Sequence, residues 1–257
     1  MKEVFKDYSE YYDLIYTGKK YDKEVDYIDE IIQKNNPGAK TILDLGCGTG
    51  IHANLLASKG YNVIGVDFSE EMVDIANKKK QTTYKVNSDK LIFLQHDIRS
   101  LDLDTKFDVV ISLFHVFSYL TSNEDFQLGI NTINKHLNIS GGLAIFDFWY
   151  GPGVLTDLPT IRKKNFENEE MSVVRNAVPE FYPNKNIVNV NYNLDIYNKK
   201  IGSNFNIKEI HSMRYCFIPE IEMHLKAIDF KSIYFYEWLT FELPRLSTFA
   251  ACVIIER

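Results

Sequence analysis

Cysteine is scarce in this chain: of 257 residues only three are Cys, at positions 47, 216 and 252. They are odd in number and far apart, which argues against both a disulfide framework and a zinc site. No apolar run reaches the roughly 18 residues that a membrane-spanning helix needs. The opening Met1-Lys2-Glu3-Val4-Phe5-Lys6-Asp7 lacks the charged-then-apolar order of a signal peptide. The expectation is therefore a cytoplasmic protein with no membrane partner. Basic excess is missing too. A formal charge of −6 opposes nucleic acid as a partner, because binding a phosphate backbone calls for a basic face. The short basic runs Lys78-Lys79-Lys80 and Arg162-Lys163-Lys164 read as solvated loops or helix ends. Prolines number seven, and 45% of the chain is hydrophobic, enough for one substantial core carrying an insertion.

What the chain does have is a concentrated glycine signal. Thr41-Ile42-Leu43-Asp44-Leu45 is a short apolar run, and Gly46-Cys47-Gly48-Thr49-Gly50 follows it. This reads as a buried strand turning into a helix, with three missing Cβ atoms letting a ligand approach the main chain. The segment from Ile51 to Lys59 has helical apolar spacing and ends at Gly60. Tyr61 to Asp67 is a second strand that ends in an acid, about 20 residues beyond the glycines, where a βαβ unit places a carboxylate beside a ribose diol. A dinucleotide site favours G-x-G-x-x-G; here the order is D-x-G-x-G-x-G. An acid ahead of the turn is awkward beside a diphosphate and suits a cation.

Strand and helix patterns continue to alternate. Phe68-Ser69-Glu70-Glu71-Met72 opens a helix with Ser69 as N-cap. Leu91–Ile98 and Phe107–Leu113 read as the third and fourth strands, Thr121–Leu137 as a helix, and Leu143–Trp149 as the fifth strand. Upstream, Leu14, Ile15, Val25, Ile28, Ile31 and Ile32 form a helical stripe, predicting one or two helices before the first strand. Gly151-Pro152-Gly153 breaks the pattern. Beyond it, Met171–Val178, Ile187–Tyr197 and Phe205–Phe217 look like three antiparallel strands. Pro219 starts a helix over Glu220–Ala227, and Phe230–Trp238 with Ser247–Glu256 form a closing hairpin. The fold class is α/β, a doubly wound, mostly parallel sheet. Three regions are expected: an N-terminal cap and cofactor-binding core over 1–150, an inserted β-meander or lid over 151–217, and a C-terminal helix and hairpin over 218–257.

The Thr41–Gly50 segment together with Asp67 resembles motif I and the second-strand acid of the class I S-adenosylmethionine-dependent methyltransferases. Tyr12-Asp13-Leu14-Ile15-Tyr16 resembles the amino-terminal segment of the group that N-methylates nucleotide-linked amino sugars. The resemblance implies a Rossmann-like sheet of seven strands, the last antiparallel. It also implies S-adenosylmethionine as cofactor and S-adenosylhomocysteine as product, with Asp44, Gly46, Cys47, Gly48, Gly50, Asp67 and Leu113 at the cofactor. Phe68 and Met72 would flank the adenine or else be core residues. Asp97 and Ile98 match the place that holds the adenine amino group, although an Asp at a strand end is also an ordinary turn residue. Tyr16 or Tyr21 would close over the cofactor as a lid, or pack as core aromatics.

A sulfonium methyl is already activated, so the protein must chiefly align a nucleophile, exclude water and keep that nucleophile unprotonated. No metal is expected. His115, directly after the fourth strand, is the candidate base, or else a core or cofactor-contacting histidine. Tyr119, one helical turn on, would orient it or touch the substrate. Trp149 and Tyr150 are candidates for an acceptor pocket or for the core. His211, Arg214 and Tyr215 form a polar-aromatic cluster, in which Arg214 either grips a phosphate or carboxylate or makes a surface ion pair. The expected substrate is a small metabolite methylated on nitrogen or oxygen, such as a nucleotide-linked sugar or surface-polysaccharide precursor, and the insertion could support a homodimer. Two other readings stay open: an NAD(P)-dependent oxidoreductase of related fold, and a non-catalytic S-adenosylmethionine-binding sensor or scaffold.

Overall fold

The computed structural model describes residues 9–86, 88–226, 228 and 230–257. Strand β1 (Thr41–Leu45) is central, with parallel partners β2 (Asn62–Asp67) on one side and β4 (Val109–Ser112) on the other. β3 (Leu91–Gln95) pairs with β2, and β5 (Leu143–Tyr150) with β4, all parallel. The antiparallel β11 (Ala250–Glu256) follows β5, and β10 (Ser232–Glu237) closes that side. The order is thus β3-β2-β1-β4-β5-β11-β10, seven strands of which only β11 runs against the rest. The chain leaves β1 toward β2 and later returns on its other side at β4, which opens a crevice at the carboxyl ends of β1 and β4.

Alternation along the strands builds a core on each face. Ile42 and Ile111 pack under α2 (Tyr21–Asn35), α3 (Ile51–Ser58) and α4 (Glu70–Thr82), whereas Leu43, Leu45 and Val110 pack under α5 (Asn123–His136) and α7 (Ile218–Leu225). At the foot of the sheet Asp108 Oδ2 accepts from Lys40 N, Thr41 N and Thr41 Oγ1, fixing the register of β1 against β4.

The insertion has four strands, not three. After α6 (Gly151–Thr156) come β6 (Arg162–Glu167), β7 (Met171–Tyr182), β8 (Ile187–Asn198) and β9 (Ser203–Cys216), each antiparallel to the next. The run Arg162-Lys163-Lys164, expected as a loop or helix end, lies in β6. Its charge hides the strand pattern, and such charge suits an exposed sheet edge. β7 continues past its expected end at Val178 through Pro179, because Pro179 lies beyond Ala177, the last residue paired with β6, and needs no donor on that side. The end of β9 pairs in parallel with the end of β5, Trp149 with Tyr215 and Tyr150 with Cys216, so the meander extends the core sheet. Helix α1 (Ser9–Ile15) packs against it through Tyr11 and Ile15, which meet Val173, Leu194 and Ile196.

Other boundaries shift by a few residues. Gly151-Pro152-Gly153, read as a breaker, begins α6 with Pro152 in its first turn. α5 starts two residues late because Ser122 is its cap, its Oγ accepting from Asp125 N at 3.0 Å. The expected helix over 220–227 is α7, and Ala227 lies outside the described residues.

Gly153 illustrates how tightly the hairpin loop is docked: a Cβ there would lie 1.8 Å from the Thr248 carbonyl oxygen. Gly153→Ala should therefore cost about 1–3 kcal/mol of unfolding free energy, whereas Gly18→Ala, with nothing within 4 Å, should change little. Urea unfolding of both variants checks this, and equal stabilities would refute the docking argument.

Candidate active site

The turn after β1 is locked by the end of β2. Gly46 N and Cys47 N donate to Val66 O at 2.8 and 2.9 Å. One residue on, Asp67 Oδ2 accepts from Gly48 N at 2.8 Å and its Oδ1 from Ser69 N at 2.9 Å. Gly46, Gly48 and Gly50 all have positive φ, of +81°, +54° and +81°. Their surroundings differ. A Cβ at Gly46 would strike Val116 at 2.5 Å and one at Gly50 would strike Phe93 at 2.4 Å, but one at Gly48 would meet nothing within 4 Å. Of the three, only Gly48 presents bare backbone to open space; Gly46 is required by its contact with Val116, which also lines the cavity, and Gly50 by Phe93 in the core. Gly50 thus lies outside the expected ligand cradle.

A cavity of about 330 Å³ opens above this turn. Gly46, Cys47 and Gly48 form its floor, and Asp67, Phe68, Met72, Asp97 and Ile98 line the β2–β3 side. Leu113, His115, Tyr119 and Trp149 line the β4–β5 side, and Tyr16, Tyr21 and His211 close it. Fifteen candidate residues thus converge from distant parts of the chain. Asp44, Gly50, Tyr150, Arg214 and Tyr215 do not border it.

Each exception has a geometric cause. Asp44 is 2% exposed behind the turn. On β5 the side chains alternate, so Trp149 faces the cavity while Tyr150 turns to the opposite core. On β9 the same alternation separates Arg214 from His211: Arg214 Nη2 donates to Asn123 Oδ1 at 2.5 Å and pairs with Glu220, and the guanidinium lies over Phe126. Tyr215 shares the His211 face but is spent in a cluster with Val154 and Val188. The grip of Arg214 on a ligand is withdrawn on this geometry; in the ion pair it makes, Arg214 is buried and Glu220 half-buried.

Beyond β4 the backbone is strained. Phe114 and His115 both take left-handed conformations, with φ of 67° and 64°, which costs of order 1–3 kcal/mol for each non-glycine residue. Asp147, buried on β5, holds them: His115 N is 3.1 Å from each of its carboxylate oxygens. His115 Nδ1 is 2.6 Å from Asp147 Oδ2, an ion-pair distance at an angle poor for a hydrogen bond.

Sequence reading missed several cavity residues, among them Phe114, Tyr192 and Phe249. Tyr192 carried a signal: it lies two residues from Val190 on one strand face, and both line the cavity. Phe249 carried none, since its place depends on the docking of the hairpin loop.

The two acids respond to burial. Asp67 is displaced upward by desolvation, an effect opposed by the amides of Ser69, Gly48 and Phe68. Asp44 has no such relief. Burial and then the charge of Asp67 raise its pKa to about 7, and its Oδ2 has no hydrogen-bond partner among the described residues. A buried carboxyl without a donor is the mark expected of a site shaped for a cation or donor that arrives with the ligand.

Comparison with known proteins places this geometry in a class. Residues 42–141 match the family model described as a methyltransferase domain. Over 153 residues the chain is 29% identical to the dTDP-3-amino-3,4,6-trideoxy-alpha-D-glucopyranose N,N-dimethyltransferase of Streptomyces venezuelae, covering 59% of this chain and 61% of that one. It is 26% identical over 154 residues to the dTDP-4-amino-2,3,4,6-tetradeoxy-D-glucose N,N-dimethyltransferase of Saccharopolyspora spinosa, covering 59% and 58%. The aligned part is thus about three fifths of the curated relatives' length. Among solved structures, a sugar N-methyltransferase from a Streptoalloteichus species superposes with a TM-score of 0.78 at 21% identity, covering 96% and 92% of the two chains. A S-adenosylmethionine-dependent methyltransferase from Clostridium acetobutylicum gives 0.76 at 23%, covering 96% and 95%. The fold is that of the class I S-adenosylmethionine-dependent methyltransferases, and the oxidoreductase and binding-only readings gain no support from these matches.

The Asp44 displacement fixes the sign of a pH effect. A carboxyl with a raised folded-state pKa stabilises the fold below its unfolded value, and that contribution is lost as pH rises from 3.8 to about 7. Other acids titrate too, so the informative quantity is the unfolding free energy of the wild type minus that of Asp44→Asn. It should fall by roughly 2–4 kcal/mol between acid and neutral pH. Urea titrations across that range measure it; a constant difference would show an undisplaced carboxyl.

Proposed function

We propose that the chain is a S-adenosylmethionine-dependent methyltransferase that acts on an amine nitrogen of a small, sugar-linked metabolite. The observation that carries the reading is the cavity floor: bare Gly48 backbone next to the Asp67 carboxylate, with the unpartnered Asp44 carboxyl behind. The residues present fit that cofactor. Each Asp67 oxygen already accepts one amide and keeps lone-pair capacity for a ribose hydroxyl. Phe68 and Met72 would supply apolar walls for an adenine, and Asp97 and Ile98 line the same side of the cavity. The Asp67 carboxylate provides the negative field that a cationic ligand requires. The cofactor supplies an electrophilic methyl on a positively charged sulfur.

The chain's own residues then do four things. Tyr16, just beyond α1, and Tyr21, at the start of α2, close the cavity against water. Trp149 and His211 border the part left for the acceptor. His115 and Tyr119 are the catalytic candidates, His115 held at the end of β4 by Asp147. Residues 151–217 serve as the wall and lid over the acceptor. The amino-sugar N,N-dimethyltransferase activity of the relatives supports nitrogen as the nucleophile; the acidic charge supports a metabolite over nucleic acid and, with the cysteine pattern, a cytoplasmic setting.

The test is calorimetric titration with S-adenosylmethionine, followed by homocysteine release across a panel of nucleotide-linked amino and hydroxy sugars. Saturable binding with turnover on amines is expected; no binding, or turnover confined to hydroxyl acceptors, would overturn the cofactor or the nitrogen assignment respectively. Asp67→Ala should weaken cofactor binding by roughly 1–3 kcal/mol, read from the same titration. His115→Ala should lower turnover far more than cofactor affinity, and equal losses would reduce it to a binding residue.

A further inference from the structure

Tyr119 and His211, on the cavity wall, are joined to a third group that does not border the cavity. Tyr119 Oη lies 2.8 Å from His211 Nδ1. On the far side of the ring, His211 Nε2 lies 3.1 Å from Glu209 Oε2. Glu209 and His211 are two residues apart on β9 and so share a face. They are 7% and 3% exposed, and the Tyr192 ring packs edge-on against the imidazole at 4.8 Å. Burying a carboxylate is expensive unless it is paired, so packing alone is a poor reason for a glutamate here. Burial, reinforced by the neighbouring Tyr16 and Tyr192 phenols and the Glu209 carboxylate, pushes the Tyr119 phenol well above its ordinary pKa, so it remains a hydroxyl. A hydroxyl that donates to Nδ1 leaves the neutral ring's proton on Nε2, where it donates to Glu209.

We propose that Tyr119, His211 and Glu209 form a proton relay that takes up the proton an ammonium acceptor must shed before methylation. Tyr119 touches the acceptor, His211 holds the proton, and Glu209 is the positioning residue that sets the ring's tautomer and offsets its charge. The proposal rests on the N-methyltransferase reading above. The ammonium gives a proton to Tyr119 Oη as the phenol's own proton passes to His211 Nδ1. The imidazole becomes an imidazolium between the Tyr119 oxygen and the Glu209 carboxylate. The positive charge thus moves from acceptor to the buried His–Glu pair, and the acceptor is left with a free lone pair. That lone pair forms the N–C bond as the C–S bond of the sulfonium donor breaks, with its electron pair staying on sulfur. Sequence reading grouped His211 with Arg214 and Tyr215 and passed over Glu209, which the period of two along β9 puts beside the imidazole.

Two measurements on the full chain test this. In the ligand-free protein, histidine-labelled ¹⁵N spectra should show His211 with a bare Nδ1 and a protonated Nε2, and Tyr119→Phe should shift the Nδ1 resonance. A proton on Nδ1 of the neutral ring would overturn the relay. With an amine acceptor, Tyr119→Phe should lower kcat by about 100-fold with KM changed only a few-fold, and Glu209→Gln should lower kcat with partial recovery in Glu209→Asp. Calorimetric affinity for S-adenosylmethionine should stay at the wild-type value in each variant. An unchanged kcat in Tyr119→Phe overturns the proposal, and that variant decides the matter even if the Glu209 variants fail to fold. Loss of cofactor binding by the wild type would instead bring down the methyltransferase reading and the source of the proton with it.

Discussion

The Asp67 carboxylate is the tie on which the site depends. By accepting Gly48 N on one oxygen and Ser69 N on the other, it joins the turn after β1 to the entry of α4 and fixes the shape of the cavity floor. A buried carboxylate is costly unless donors surround it, and the amides that relieve Asp67 are the same ones that shape the turn. Binding geometry and fold stability are therefore one arrangement at this point. Asp44 lacks that relief and carries the strain of the site as a displaced proton equilibrium.

A second compromise lies at the end of β4. Two successive left-handed residues would not persist in isolation, but the Asp147 carboxylate reaches the amide and ring of His115, and Ser118 N donates to His115 O at 3.0 Å. The β5 strand that supplies Asp147 also supplies Trp149, and its last two residues carry the ladder to β9. One strand thus sets the strained loop, one wall of the cavity, and the attachment of the meander that brings in His211 and Glu209.

The cavity is closed by elements from opposite ends of the chain. α1 reaches the glycine turn through Asp13, whose Oδ1 accepts from Thr49 Oγ1 at 2.8 Å, and packs on the meander through Tyr11 and Ile15. Arg175 of β7 lies over the rings of Tyr16, Phe166 and Tyr192, which adds cation–π attraction to that seam. The α1 segment and the meander are joined in this way.

Local signals were strong where one segment does the whole job. Thr41–Gly50, Asp67, the Ser69 cap and the continuous apolar strands specify the alternating α/β core from short-range chemistry, and the β1–β2 side of the cavity follows from them. The side formed by β5 and β9 was only partly legible. Trp149 and Tyr150, or His211 and Arg214, look equivalent in a list of polar and aromatic residues; the pleat sends members of each pair to opposite faces, and the register against β5 and β8 decides which face is the cavity. β6 was hidden by charge, and Glu209 because its neighbour His211 gains its partner Tyr119 only through the fold. What the sequence by itself determined is the βαβ cradle, because glycine conformations and strand burial are properties of a few adjacent residues. What only the tertiary structure decided is the far wall, because a side chain's direction there depends on pairing with strands more than sixty residues away.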